Sequence, residues 1–223
     1  LQQEFHFLEL CKVCFGYDGK SVLRDVSMKL YRGQKIAIIG ENGSGKSTLI
    51  QILLRFFQPD SGMIVINGQE AEDIVLTEYR SLFSVVSQFP YLFQETIRKN
   101  LDYEGKYGEE ELKAVFSVAG MEELLTHFPD GLDTLVGVDS TNLSGGEKQK
   151  LAFLRAMLHP APIFIFDECT SNLDRESEEW FFTKGLEMLG DRLVILITHQ
   201  LEYTKKCDKI YEIKNGRIIK WEE

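Results

Sequence analysis

The sequence has little of what marks several large protein classes. Of its 223 residues only 4 are cysteine and 5 are proline, so neither a disulfide framework nor a proline-rich disordered chain is indicated. No apolar run approaches the roughly 18 residues of a membrane-spanning helix. Basic residues are in deficit, because 25 Lys and Arg stand against 35 Asp and Glu for a formal net charge of −10. That sign argues against nucleic acid as a partner.

Two of the four cysteines, Cys11 and Cys14, have the spacing of a metal-binding pair. They lie in an alternating segment that predicts a β-strand, where residues three apart face opposite sides. We therefore expect no metal there. Because the four cysteines do not indicate a disulfide framework, we also expect a reducing compartment. The first residue is Leu1, and no signal peptide or basic amphipathic leader follows it. We expect the chain to be a piece of a longer polypeptide.

The hydrophobic pattern predicts a β-rich start followed by alternating strands and helices. Alternating runs at 5–15 and 21–30, separated by a turn, predict an antiparallel hairpin. Later apolar runs, such as 35–39 and 193–198, predict buried strands, and roughly 88–158 is predicted as a helical insertion. Helices are also predicted over 46–57 and 175–189. Short apolar strands that alternate with helices predict an α/β fold with a mostly parallel sheet covered on both faces.

Residues 40–48, GENGSGKST, match the phosphate-loop pattern G-x-x-x-x-G-K-[ST] between a predicted strand and a predicted helix. Glycines let the main chain approach a triphosphate, and the helix N-terminus supplies N–H donors. Lys46 is expected to contact the β- and γ-phosphate oxygens and Ser47 to bind Mg²⁺. The predicted nucleotide-binding residues are Gly40, Asn42, Gly43, Ser44, Gly45, Lys46, Ser47 and Thr48.

A second set of polar residues follows an apolar strand predicted at 163–166. This strand ends in Asp167 and Glu168, and open α/β sheets place their ligands at the carboxyl ends of strands. Neighbouring residues on a strand point to opposite sides, which permits different roles. We therefore assign Asp167 to the Mg²⁺ shell and Glu168 to polarising the attacking water.

The segment LSGGE at 143–147 opens another predicted helix. Ser144 is a favourable N-cap, and it forms a capping-box pattern with Glu147. The two intervening glycines weaken a helix by up to about 1 kcal/mol each relative to alanine. Exposed N–H groups without a Cβ nearby can bind a phosphate, so the segment predicts a further anion-binding point.

Six motifs stand in order along the chain: the phosphate loop, Gln88 after a predicted strand, LSGGE, IFIFDE, SNLD at 171–174 and His199. With these motifs the sequence resembles the nucleotide-binding domain of an ATP-binding cassette (ABC) protein. The resemblance covers essentially the whole chain. It implies a P-loop NTPase core with a mostly parallel sheet, an N-terminal antiparallel β subdomain and an inserted α-helical subdomain.

The implied domain organisation is a single ABC nucleotide-binding domain over 1–223. Within it, 1–87 and 159–223 would form the ATP-binding core with its antiparallel β subdomain. Residues 88–158 would form the helical subdomain that carries the signature LSGGE.

The resemblance also implies a head-to-tail dimer in which ATP lies between the phosphate loop of one copy and the LSGGE segment of the other. Tyr17 would stack on adenine, Gln88 would contact Mg²⁺ or the attacking water, and His199 would bind the γ-phosphate. The signature residues Ser144, Gly145 and Gly146 would reach the partner's ATP, and Asp174 would lie near the partner's phosphate loop. The implied catalytic residues are Lys46, Gln88, Glu168 and His199.

The segment 83–101, FSVVSQFPYLFQETIRKNL, resembles the exporter branch of the family. It implies ATP hydrolysis coupled to transport, a transmembrane domain fused upstream of Leu1, and a position on the cytoplasmic face of a membrane. Four apolar side chains of this segment have two possible roles. They would line a groove for a helix of that domain, or they would pack in the core. The four are Phe89, Tyr91, Leu92 and Phe93. The alternative is a soluble ABC-type ATPase without a membrane domain.

Two departures from the exporter pattern affect coupling. Residues 136–140 read VGVDS where many exporters have V-G-E-x-G, which puts the usual acidic contact with the membrane domain in doubt. The fifth signature residue is Glu147 rather than the commoner Gln. We hypothesise that its charge weakens the ATP-bound dimer.

Overall fold

The structure is a computed structural model that describes residues 4–128, 130–137, 143–159, 161–170, 173–199 and 201–221. The chain forms two compact units. The core unit comprises 1–85, 161–168 and 190–223, and the helical unit comprises 86–160 and 169–189. The main difference from the predicted division is that 169–189 belongs to the helical unit, whereas the prediction placed these residues in the core. The predicted domain boundaries stay a prediction.

The strands in the described residues are β1 (Phe7–Tyr17), β2 (Lys20–Tyr31), β3 (Lys35–Ile39), β4 (Ser61–Ile66), β5 (Gln69–Glu70), β6 (Phe83–Val86), β7 (Glu95–Thr96), β8 (Leu135–Val136), β9 (Ile163–Asp167), β10 (Leu193–Ile197), β11 (Lys209–Lys214) and β12 (Arg217–Trp221). The helices are α1 (Lys46–Leu53), α2 (Leu76–Ser81), α3 (Ile97–Leu101), α4 (Glu109–Val118), α5 (Glu122–Thr126), α6 (Gly145–Leu158), α7 (Arg175–Trp180), α8 (Leu186–Met188) and α9 (Leu201–Thr204). A π-helical segment, Phe181–Gly185, joins α7 to α8.

A six-stranded sheet has the order β12-β11-β3-β10-β9-β6. Strand β3 pairs in parallel with β10 and β11, and β10 pairs in parallel with β9, while β12 is antiparallel to β11. All five residues of β10 and the first four of β9 are buried, as expected of strands covered on both faces. The predicted mostly parallel sheet is therefore present.

A second, four-stranded antiparallel sheet has the order β2-β1-β4-β5. The predicted hairpin is confirmed as β1 and β2, which are joined through Asp18 and Gly19. Both turn residues have positive φ, 47° and 77°, as the tightest hairpin turns require. The register of β1 shifts between Leu10 and Val13, so the Cys11 and Cys14 segment is a bulge rather than a regular strand.

Two predicted helices differ from the observed ones. The helix expected over 46–57 ends at Leu53, because Arg55 takes a left-handed conformation (φ 54°) and the Phe56 N–H donates to Gln51 O at 2.8 Å. The helix expected over 175–189 is interrupted by the π-helical segment. No helix in the described residues is long and apolar enough to cross a membrane.

Candidate functional site

The phosphate loop joins the end of β3 to the start of α1 in the core unit. Its glycines have conformations that other residues rarely adopt: φ is 153° at Gly40, 77° at Gly43 and 112° at Gly45. A Cβ on Gly40 would lie 2.6 Å from Ile213 O. Positive φ therefore favours glycine at all three positions, and close approach adds a second requirement at Gly40.

Lys46 lies under this loop and is only 7% exposed. Its Nζ donates to Gly40 O at 2.8 Å and to Glu41 O at 3.0 Å. Burial lowers the Lys46 pKa, and the nearby carboxylates Glu168 and Asp167 oppose that shift. Ser44 Oγ is buried without a hydrogen-bond partner in the described residues. An underused donor beside a buried cation fits a site for phosphate oxygens.

Asp167 and Glu168 lie at the carboxyl end of the sheet, as the sequence predicted for the residues that end β9. Burial raises the Asp167 pKa, the adjacent Glu168 charge raises it further, and Lys46 opposes the shift. Glu168 itself has a left-handed backbone, with φ 49°, and its N–H donates to Ile197 O at 3.0 Å. A non-glycine residue in this conformation carries backbone strain that neighbouring structure must hold.

His199 follows β10 and reaches the same place. Residues Asp167 and Ile197 are register partners on β9 and β10, so the residues just beyond them emerge side by side. His199 Nε2 lies 2.7 Å from Glu168 Oε1. The core unit thus brings together Lys46, Asp167, Glu168 and His199, which come from three segments that are far apart in the sequence.

The donor types fit Mg²⁺. Ser47 on the first turn of α1 carries a hydroxyl, and Asp167 carries a carboxylate, which are oxygen ligands that this ion takes. The raised Asp167 pKa reflects burial and repulsion from Glu168, and a bound cation would offset both effects by favouring the ionised carboxylate. Gln88, the third predicted ligand, belongs to the helical unit, where its main-chain oxygen accepts from Gln149 Nε2 at 3.2 Å.

Tyr17 ends β1 and lies against α1. Its hydroxyl donates to Gln51 Oε1 at 2.7 Å. Its ring is nearly perpendicular to those of Phe15 and Phe57, with centroids 4.9 and 5.6 Å away. The motifs give no signal for Gln51 or Phe57, because their contacts with Tyr17 join residues more than 30 positions apart.

In the helical unit, the LSGGE segment has the predicted capping box. Ser144 is the N-cap of α6, and its side chain and that of Glu147 each bond to the other's main chain. Ser144 and Gly146 line a cavity of about 460 Å³. Gly145, between them, is the first residue of α6.

Asp174 lines the same cavity and caps α7. Its two carboxylate oxygens accept from the Ser177 N–H and hydroxyl, each at 2.8 Å. These bonds lower the Asp174 pKa, with a further contribution from Lys150. The cavity also includes His127 and Trp180, which the motifs did not predict. For Lys150, the sequence signal is its spacing of three residues from Glu147 along α6, which places the two side chains next to each other.

Some predicted features lie outside the described residues. These are 171–172 of SNLD and 138–140 of the VGVDS segment. In the neighbouring exporter-like segment, Leu92 is buried, whereas Phe89 and Tyr91 are 76% and 65% exposed. Core packing therefore applies to Leu92 but not to those two aromatic side chains.

A parallel sheet that runs into a glycine-rich phosphate loop, with an acidic pair at the end of β9, defines a P-loop nucleotide hydrolase. Residues 23–171 match the family model described as ABC transporter, and the chain belongs to that family. The resemblance to the ABC family that the motifs indicated is therefore confirmed.

Two curated relatives are ATP-dependent lipid A-core flippases. The one from Vibrio cholerae is 39% identical over 211 residues, which are 93% of this chain and 36% of the relative. The one from Haemophilus influenzae is 38% identical over 215 residues, which are 95% of this chain and 37% of the relative. The chain thus spans little more than a third of the length of these relatives.

The fold is also that of a solved relative. A bacterial Atm1-family ABC exporter with ATP bound matches with a TM-score of 0.91 and 33% identity, over 98% of this chain and 38% of that one. The predicted ABC ATPase fold is confirmed.

Proposed function

We propose that this chain hydrolyses ATP to drive an exporter-type ABC transporter, and that ATP joins two copies of it head to tail. The observation that carries the proposal is the 2.7 Å contact between His199 Nε2 and Glu168 Oε1, beside the phosphate loop. A carboxylate that can orient water, next to an imidazole and a buried lysine, provides the groups that hydrolysis of a γ-phosphate requires.

In the proposed mechanism, Lys46 exchanges its two main-chain carbonyl partners for oxygens of the β- and γ-phosphates. Glu168 accepts a hydrogen bond from the attacking water, and its constrained backbone fixes the direction of the carboxylate. His199 Nε2 exchanges Glu168 for the γ-phosphate and donates to it as the bond to ADP breaks. Mg²⁺, when bound, neutralises charge on the phosphate oxygens, and its proposed ligands are Ser47, Asp167 and Gln88.

The second copy would complete the site. At the N-terminus of α6, Ser144 and Gly145 are exposed and Gly146 lines the cavity. The first main-chain N–H groups of a helix lack a partner within it, which suits the γ-phosphate bound by the other copy. Asp174, on the same cavity, would lie near that copy's phosphate loop. Hydrolysis and phosphate release remove negative charge from the interface, so the closed dimer loses the interaction that favoured it and opens.

We further propose that the chain acts with a transmembrane domain, at the cytoplasmic face of a membrane. Two observations support this: the flippase relatives are almost three times as long as the matched region, and the helical unit exposes the aromatic side chains Phe89 and Tyr91. Such a patch suits a protein contact. The soluble alternative is not favoured, because the relatives are named as a flippase and an exporter.

Replacing one catalytic carboxylate tests the hydrolysis mechanism. Glu168→Gln should lower the steady-state ATPase rate by about 10²- to 10⁴-fold, and Mg-ATP should then convert the variant to a dimer in size-exclusion chromatography with light scattering. Glu202→Gln, an exposed carboxylate on α9, is the matched control and should keep the wild-type rate. Wild-type turnover by Glu168→Gln would exclude the proposed role.

The membrane coupling has a separate test. The parent gene should encode about six membrane spans upstream of Leu1, and the full-length protein should move a lipid or amphipathic cargo in vesicles only when Mg-ATP is present. A soluble upstream extension would favour the alternative.

A further inference from the structure

We infer that Gln51 and Phe57 are positioning residues that hold Tyr17 for stacking on the adenine ring of ATP. The inference rests on the proposed function, because it takes Tyr17 as the adenine contact. It concerns the base rather than the phosphates, and it assigns a role to two residues outside the family motifs.

Gln51 holds the far end of the tyrosine side chain. Tyr17 lies at the edge of the β1–β2 hairpin and is 39% exposed, so without a partner for its hydroxyl the ring would sample several rotamers. The 2.7 Å bond from the Tyr17 hydroxyl to Gln51 Oε1 selects one of them. Gln51 lies on α1, whose first turn carries Lys46 and Ser47. The bond therefore connects the proposed adenine contact to the helix that begins at the phosphate loop.

The main chain of Gln51 has a second role. Its carbonyl accepts from the Phe56 N–H at 2.8 Å, and this bond closes the turn in which Arg55 is left-handed. This turn ends α1 at Leu53. It also directs Phe57, the residue after Phe56, towards Tyr17. A regular helix through residue 57, which the sequence predicted, would not form this turn.

Phe57 and Phe15 then fix the plane of the tyrosine ring. The Phe57 ring is 5.6 Å from that of Tyr17 at an interplanar angle of 89°, and the Phe15 ring is 4.9 Å away at 88°. Phe57 and Phe15 also contact each other, at 5.5 Å. Edge-to-face pairs of this kind are directional, so the ring is held from two sides while part of it stays exposed.

A ring that is already held in place binds a base more tightly, because less side-chain freedom is lost on binding. Loss of the Gln51 acceptor should therefore weaken binding of a nucleotide that has a base, and it should leave binding of a bare triphosphate unchanged. A role of Gln51 in the folding of α1 alone would weaken both ligands together, since α1 begins at the phosphate loop.

The test measures binding of ATP and of inorganic tripolyphosphate to the 223-residue chain by titration calorimetry in EDTA, where turnover does not contribute. Gln51→Leu should weaken ATP binding by about three- to tenfold and change tripolyphosphate binding by less than about twofold. Gln51→Glu, which keeps an acceptor for the hydroxyl, should restore most of the ATP affinity. Gln58→Leu, an exposed glutamine beyond α1, is the matched control and should change neither.

A double-mutant cycle asks whether Gln51 acts through the tyrosine hydroxyl. Tyr17→Phe and Gln51→Leu should each weaken ATP binding, and the double variant should be no weaker than about the worse single one. Additive losses would overturn the inference.

The aromatic part has its own pair of variants. Phe57→Ala should weaken ATP but not tripolyphosphate, and Phe57→Leu should do so less. Phe56→Ala is the control, because that ring lies beneath Arg80 instead, 4.8 Å from the guanidinium carbon. Equal ATP affinity of Gln51→Leu, Phe57→Ala and wild type would overturn the inference and leave ATP hydrolysis untouched. Wild-type protein that binds ATP no better than tripolyphosphate would instead remove the adenine contact on which it rests.

Discussion

Glu147 Oε2 accepts two hydrogen bonds from Ser144, one from its N–H at 2.8 Å and one from its hydroxyl at 2.9 Å. The Ser144 hydroxyl oxygen in turn accepts from the Glu147 N–H at 3.2 Å. The serine hydroxyl proposed to reach the partner's γ-phosphate therefore directs its proton at a carboxylate of its own chain. In the proposed dimer, Glu147 would therefore compete with that phosphate for the hydroxyl, and its charge would repel the phosphate.

Glu147→Gln should tighten the ATP-dependent dimer. The amide oxygen can still accept from Ser144, so the helix cap is kept, while the negative charge is lost. We expect about a three- to tenfold lower dimer dissociation constant in the Glu168→Gln background, measured by analytical ultracentrifugation in Mg-ATP.

The control for this prediction is Glu123→Gln, which removes one charge from the same cavity without touching Ser144. It should change the dimer constant much less. An unchanged or weaker dimer for Glu147→Gln would refute the competition.

Two glycines of the phosphate loop should differ in their sensitivity to substitution. Both Gly40 and Gly43 have positive φ, but a Cβ on Gly43 has no heavy atom within 4 Å, whereas one on Gly40 meets Ile213 O and Ser44 Oγ at 2.6 and 2.7 Å. Gly43→Ala should lower the free energy of unfolding by about 1–2 kcal/mol. Gly40→Ala should cost about 3 kcal/mol or more, as urea unfolding would measure. Equal costs would mean that the close approach to Ile213 does not occur.

Asp167 should destabilise the ligand-free protein at neutral pH. Its pKa is raised on folding, so the stability it contributes is complete below its ordinary value of about 3.9 and is lost as pH rises through the raised value. Asp167→Asn should therefore raise the urea midpoint at pH 7 in EDTA, and the gain should vanish towards about pH 3.9. Asp73→Asn, at an exposed position, is the control. A gain that persists unchanged at low pH would contradict the ionisation argument.

The sheet was predictable because its strands are buried on both faces. Continuous apolar runs such as 163–166 leave few other structures of that length, and the observed strand extends the run only by Asp167. The end of α1 was not predictable. Apolar spacing continues through Phe57, and arginine at position 55 gives no signal for the left-handed turn that ends the helix. The π-helical segment likewise has no recognisable pattern in 181–185.

At the site, motif spacing predicted the glycine conformations, the capping box and the acidic pair. It did not predict the contacts that join distant segments, such as Tyr17 to Gln51 or Gly40 to Ile213, because these depend on how separate elements meet. The roles of the site residues in catalysis stay predictions, and Glu168→Gln tests that of the carboxylate.

Strand β3, which leads into the phosphate loop, has β10 on one side and β11 on the other, and both come from beyond residue 190. The turn after β11 touches the start of the chain as well, since the Arg24 N–H donates to Gly216 O at 2.7 Å. During synthesis, nearly the whole domain must therefore leave the ribosome before the strands around the phosphate loop can pair. Nascent fragments that stop short of β11 would contain the glycine-rich motif, but ATP would not stabilise their folded structure.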